Sequence, residues 1–184
     1  MSRLNTPSTV ESSPEASRPS LNAVAKSLGS VPNLFRVVGN SPAALRGYLG
    51  LSGAVAASSL DAKTQERLAL TVAETNGCNY CLSAHTYLGR NIAKLDDAEI
   101  TANRNGTSND MKAAAAVRFA TQVVEARGHV SDEQLAAVKA AGFDDAAVVE
   151  IVLTVALNTF TNYINEVART EIDFPVVSTR RQAA

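Results

Sequence analysis

Apolar positions recur every three or four residues along most of the chain, and no stretch sustains the alternation of a strand, so the pattern predicts helices throughout. Leu21, Val24, Leu28, Val31, Leu34, Phe35 and Val38 are interrupted by Gly29 and Pro32, which divides that segment into two short helical pieces. Ser41-Pro42 pairs an N-cap residue with a proline at the first helical position and opens a helix reaching about Ser58. Asp61 caps the next helix, Ala62 to about Thr75, whose apolar face carries Leu68, Ala69, Val72 and Ala73. Asn76-Gly77 stops it. The run from Cys78 to Leu88 has neither Gly nor Pro, so a new helix begins at Cys78 and ends near Gly89. Asp96 with Glu99, and Ser131 with Gln134, read as capping boxes of two short helices that stop at Asn105-Gly106 and Gly142. Between them Met111, Ala114, Val117, Phe119 and Val123 mark a helix from about Asn109 to Ala126. The last helix, Asp145 to Thr170, carries Val148, Ile151, Val152, Val155, Phe160, Ile164 and Val167 on more than one face. Such a helix belongs at the centre of a domain or in a subunit contact.

The ends of the chain break the pattern. Residues 1–19 are rich in Ser, Pro and Thr with almost no large apolar side chains, and predict a disordered arm. The segment from Glu171 is extended or irregular, because the residue before Pro175 cannot easily stay helical, and 178–184 predict a flexible tail. A single helical domain over 20–177 remains. The 184 residues suffice for one full core, and the absence of tryptophan together with abundant alanine suits close helix packing, so the fold class is an all-α, single-domain helical bundle. A formal net charge of -1 with scattered Lys and Arg gives no nucleic-acid footprint. No apolar run approaches the roughly 18 residues of a membrane span, and the N-terminus has no signal-peptide core. No membrane association and a cytoplasmic location are the expectations.

The chemistry lies in QERLALTVAETNGCNYCLSAHTYLG, which holds both cysteines and one of the two histidines. Helical spacing brings Cys78, Cys81 and His85 onto one face within an arc of roughly 60°. A helix N-terminus stabilises a thiolate, a nearby imidazole accepts the thiol proton, and thiolates attack peroxides and disulfides. A second thiol one turn away can condense with a sulfenic acid before further oxidation. Thiol redox work is therefore the reading of this segment. Three other readings compete. A structural disulfide would close too short a loop to remove much unfolded-state entropy. A zinc site would need a fourth ligand beyond Cys78, Cys81 and His85, which His129 supplies only if the fold brings it across. Two buried, unreactive cysteines would simply be small core residues. Asn158, Asn162 and Asn165 form a polar stripe on the last helix that is solvated, bonds to neighbouring helices or lines the site. His129 follows a helix end and receives no catalytic role.

Glu66 stands twelve positions before Cys78, and His85 stands four after Cys81. With this spacing, and with the stretches GCNYCLSAHTYLG and NTFTNYINEVARTEIDFP, the chain resembles the carboxymuconolactone decarboxylase-like superfamily in its alkyl hydroperoxidase D-like, peroxidase-related branch, over roughly Leu21 to Val177. The resemblance implies that fold type and a thiol-dependent peroxidase acting on organic hydroperoxides in antioxidant defence. It implies Cys81 as the attacking thiol, Cys78 as the resolving thiol, and His85 with Glu66 as a proton relay. No cofactor and no metal are implied. The implied partners are a hydroperoxide, a dithiol reductant such as a lipoyl- or thioredoxin-type protein, and further copies of the chain in a trimer or hexamer. Some family members carry a second His where this chain has Gly89, which shortens the relay here. The decarboxylase branch generally lacks the cysteine pair, so the thiols argue against lactone decarboxylation. From the residues themselves the attacking thiol stays open, because Cys78 is nearer the positive helix end and Cys81 is nearer His85. Glu74, four before Cys78, is the alternative to Glu66. A redox-sensing or scaffold oligomer switched by the same disulfide is the non-enzymatic alternative.

Overall fold

The computed structural model describes residues 2–180. The helices are α1 (Arg18–Leu28), α2 (Asn33–Val38), α3 (Pro42–Ala56), α4 (Ala62–Thr75), α5 (Asn79–Asn91), α6 (Asp97–Arg104), α7 (Met111–Glu125), α8 (Asp132–Ala140) and α9 (Asp145–Ala168), with one 3-10 turn at Glu15–Ser17 and no strand among the described residues. Ser41, Asp61, Asp96, Asp110, Ser131 and Asp144 each accept the N–H three residues on, a cap worth about 1 kcal/mol apiece. Of these caps Ser131 has the reciprocal bond, from Gln134. Glu99 does not complete the expected box at Asp96. Its buried carboxylate is taken by Arg67, Asn103, Ser108 and the Asn109 N–H, and this ties α4, α6 and the approach to α7 together.

Helix α4 lies at the centre and packs against α5, α6, α7 and α9. Leu70 and Ala73 join an apolar cluster with Leu34, Leu45, Cys78 and Leu82, while Leu68 and Val72 join a second with Val117, Phe119, Val138 and Ile151. Both faces of α4 are thus buried, and one of them fixes the start of α5. Helix α9 is buried differently from the expectation. Its inward face carries Thr154, Asn158, Thr161, Asn162 and Asn165, whereas Val149, Val152, Tyr163 and Val167 are exposed. By length and composition α9 could cross a bilayer, and here it packs against α2, α3, α4, α5 and α7 as a helix of the bundle.

The chain ends also depart from the expectation. Residues 2–17 do not stand off as a disordered arm: Arg3 N–H donates to the Ala168 carbonyl, Arg36 donates to the carbonyls of Pro7 and Ser8, and Ser17 Oγ donates to the Gly39 carbonyl. Beyond α9, Asp173 accepts from the Asn33 N–H and the Tyr80 hydroxyl, Val177 N–H donates to Ser83, and Arg180 N–H donates to Glu74. Hydrogen bonds to backbone groups hold both segments, and composition does not register them. Met1 of the expected arm and residues 181–184 of the expected tail lie outside the described residues.

Candidate active site

Gly77, at φ 72°, carries the chain from α4 into α5 through a backbone conformation that suits glycine. Cys78 follows in an extended conformation as the N-cap of α5, its Sγ accepting the Cys81 N–H at 3.4 Å. The helix therefore begins at Asn79, with the first cysteine in the place of the usual Ser or Asp cap. That role turns the Cys78 sulfur over the helix start, where Cys81 lies one turn further on. Both thiols are free, and both are buried.

Three helices converge on Cys81. From α4, Glu66 Oε2 lies 2.9 Å from His85 Nδ1, and each of these two side chains keeps about a fifth of its surface open. From α9, Asn165 Nδ2 donates to Cys81 Sγ at 3.2 Å, and Thr161 Oγ1 lies 3.9 Å from the same sulfur. Glu66, Cys78, Cys81 and His85 are thus brought together as the sequence pattern anticipates. Glu74 is not part of the group. Its carboxylate pairs with Arg104 at 2.6 Å and accepts the Arg180 N–H. His129 is exposed after α7. Gly89 faces away from the thiols: a Cβ there would meet Leu95, Leu70 and Ile100 in the core.

The environment separates the two thiols. A hydrogen bond from Cys78, the charge of His85 and the amides of Asn165 and Asn162 outweigh burial and hold the Cys81 thiol below its ordinary range. The same contact with Cys81, reinforced by burial, pushes the Cys78 thiol far up. Burial works to lower the His85 imidazole, but the Glu66 carboxylate and Cys81 outweigh it and the net shift is upward. A thiolate beside an imidazolium is the favoured pairing of charges. Burial, with a contribution from Cys81, pushes the Tyr48 phenol up, so it remains a hydroxyl donor.

A cavity of about 250 Å³ opens onto this group between α3, α4, α5 and α9. Tyr48, Val55, Glu66, Cys81, His85 and Leu157 are among its lining residues, and Cys78 is not. Tyr48 sits in an aromatic run with Phe35 and Phe160. A larger hollow, about 350 Å³, lies over the starts of α4, α7 and α9 and contains neither thiol. Its Asp61, Asp110 and Asp144 are already engaged as helix caps. Tyr48 was not legible in the sequence as part of a site, because a lone tyrosine between glycines carries no signal. Asn162 and Asn165 were visible as a stripe, and their inward direction was not.

The model of the Carboxymuconolactone decarboxylase family matches residues 42–126, which run from the start of α3 to the end of α7 and include Glu66, both cysteines and His85. The match spans this α3–α7 segment, and the fold of the whole chain is that of the alkyl hydroperoxidase D-like proteins. A peroxidase-related protein with an alkylhydroperoxidase AhpD core from Ralstonia eutropha JMP134 superposes with a TM-score of 0.83 at 21% identity, over 94% of this chain and 92% of that one. A peroxidase-related protein from Silicibacter sp. TM1040 gives 0.78 at 18% identity, over 93% and 94%. A cysteine-to-alanine variant of the debrominase Bmp8, in complex with 2,3,4-tribromopyrrole, gives 0.77 at 20% identity, over 94% of each chain. No curated protein matches the sequence.

Proposed function

We propose that this protein is a thiol-dependent peroxidase that reduces organic hydroperoxides, with Cys81 attacking, Cys78 resolving, and His85 with Glu66 relaying the proton. The observation that carries this reading is the cavity-facing Cys81, held toward its thiolate beside an imidazole that a carboxylate orients. In the first step the Cys81 thiolate attacks the terminal oxygen of the hydroperoxide. The S–O bond forms as the O–O bond breaks, and the departing alkoxide takes a proton from the His85 imidazolium, whose charge Glu66 supports. Cys81 is now a sulfenic acid and the product an alcohol. The Cys78 thiol then attacks the Cys81 sulfur, releasing water and leaving an intrachain disulfide. A dithiol reductant, of lipoyl or thioredoxin type, returns both thiols at the expense of its own oxidation to a disulfide.

Turnover of a panel of organic hydroperoxides with dihydrolipoamide or a reduced thioredoxin tests the reading. Catalytic consumption of both substrates is expected. Oxidation of the two cysteines without turnover would leave the redox-sensing oligomer in its place. The panel should include 2,3,4-tribromopyrrole, because one protein of this fold is a debrominase. Turnover of that compound and of no hydroperoxide would contradict the peroxide reading.

We also propose that the chain forms a homo-oligomer, a trimer or hexamer, through the outer face of α9. Val149, Val152, Tyr163 and Val167 are exposed there at helical spacing, an apolar stripe that a lone subunit leaves in water. Light scattering at micromolar concentration should give a multiple of the subunit mass. A mass near 19.3 kDa would contradict it.

A further inference from the structure

Three buried asparagines on one helix demand an explanation. Asparagine is a poor helix former, and a buried amide must find partners for its donors and its acceptor. Asn158 finds one within its own helix, donating to the Thr154 carbonyl. Asn165 directs its Nδ2 onto the Cys81 sulfur at 3.2 Å. Asn162 is completely buried, and its Oδ1 accepts from Asn76 Nδ2 at 2.9 Å. Its own Nδ2 has no acceptor among the described residues.

The two ends of that amide are linked. Asn76 is the C-cap residue of α4, in the turn just before Cys78, so the oxygen of Asn162 is pinned toward the α4–α5 turn. Its nitrogen must then point the other way; it completes no hydrogen bond, and it lies one helical turn from Asn165, whose Nδ2 is 3.2 Å from Cys81 Sγ. A neutral thiol is a weak acceptor. A thiolate is a strong one, and charge-assisted bonds to it are shorter and stronger. A charged Cys81 would offer the orphaned donor of Asn162 the acceptor it lacks.

We propose that Asn162 and Asn165 form a donor cradle on α9 that holds the Cys81 sulfur as an anion and keeps it facing the cavity. The other groups around that sulfur supply one positive charge, from His85, and one thiol donor, from Cys78. Cys78 and Tyr80 of α5 and Tyr48 of α3 are neutral or acidic, Glu66 of α4 reaches it only through His85, and Glu166 of α9 acts on Cys78. Among the described residues no Lys or Arg lines the cavity, so the positive charge there comes from His85, and the two amides add their donors to that of the Cys78 thiol. Both asparagines are positioning residues. They act through the sulfur that reacts, and the proposal deepens the peroxidase reading without needing peroxide for its test.

The test is the rate of iodoacetamide alkylation at Cys81 against pH, located by mass spectrometry, with thiolate absorbance near 240 nm followed in parallel. Asn162→Leu and Asn165→Leu keep the approximate shape and remove the donor. Each should raise the midpoint by about one pH unit, so that alkylation at pH 6 falls at least about fivefold, with helical content unchanged. Should a Leu variant fail to fold, Asn162→Ser and Asn165→Ser, smaller and too short to reach the sulfur, make the same comparison. Midpoints equal to wild type in the folded variants would overturn the cradle. If the midpoints move and wild-type protein reduces no peroxide, the cradle stands and the peroxidase reading falls. If peroxide is turned over and the midpoints do not move, the peroxidase reading stands and the cradle falls.

Discussion

Cys81→Ser is expected to abolish hydroperoxide reduction, a loss on the order of 10³-fold or more, down to the background rate. A serine hydroxyl does not ionise in this setting, and Cys78 cannot take over. Cys78 has no exposed surface, lies outside the cavity lining, and has its thiol pushed up by Cys81 and by burial. Cys78→Ser should behave differently. The first oxidation survives as a single burst of about one equivalent of peroxide, and Cys81 is left as sulfenic or sulfinic acid because no second thiol condenses with it. Peroxide consumption followed with intact-mass analysis distinguishes the two variants. A burst in Cys81→Ser and none in Cys78→Ser would exchange their roles.

Removing the relay should have the next largest effect. General acid–base assistance is typically worth about 10²- to 10⁴-fold, so His85→Ala and Glu66→Gln should each slow oxidation of the reduced protein by at least about tenfold in stopped flow. Because the two side chains are hydrogen-bonded, the double variant should lose much less than the product of the single losses. The pH profile carries the same logic. The hydrogen bond from Cys78 and the charge of His85 hold the Cys81 thiol below its ordinary range, so the rate should persist below the pH at which an ordinary thiol is protonated and fall as the pH drops through the lowered value. Glu66 raises the His85 imidazole, so its alkaline limit lies above that of an ordinary histidine, and Glu66→Gln should move this limb to lower pH. Wild-type rates in both single variants would remove the relay. Glu74→Gln should alter stability, through Arg104, and leave the rate as it is.

Much of this arrangement was legible in the chain. Asp61 and Asn76-Gly77 bracket α4 at the bounds observed, because a carboxylate cap and a left-handed glycine are local devices whose effect needs no tertiary context. Spacing alone placed Cys81 and His85 one turn apart, and the family pattern selected Glu66. What spacing could not decide was direction. Glu74 is as close in sequence to the thiols as His85 is, yet Arg104, thirty residues on, holds it elsewhere. The Asn stripe has the same helical period whether it faces water or the core, and only the packing of α9 against α4 and α5 turns it inward. Glu99 satisfies the capping-box spacing and is drawn off by Arg67, whose charge is a stronger partner than a backbone N–H. The chain ends misled for a related reason. Their hydrogen bonds to Arg36, Tyr80 and Glu74 join residues far apart in sequence and leave no periodic trace.

The most direct measurement mixes fully reduced wild-type protein with one equivalent of an organic hydroperoxide and reads alcohol formed, thiols lost and intact mass. One alcohol per peroxide, two thiols lost per chain, and a mass lower by two hydrogens with Cys78 joined to Cys81 are expected. Intact peroxide beside unchanged thiols, or disulfides formed only between chains, would contradict it.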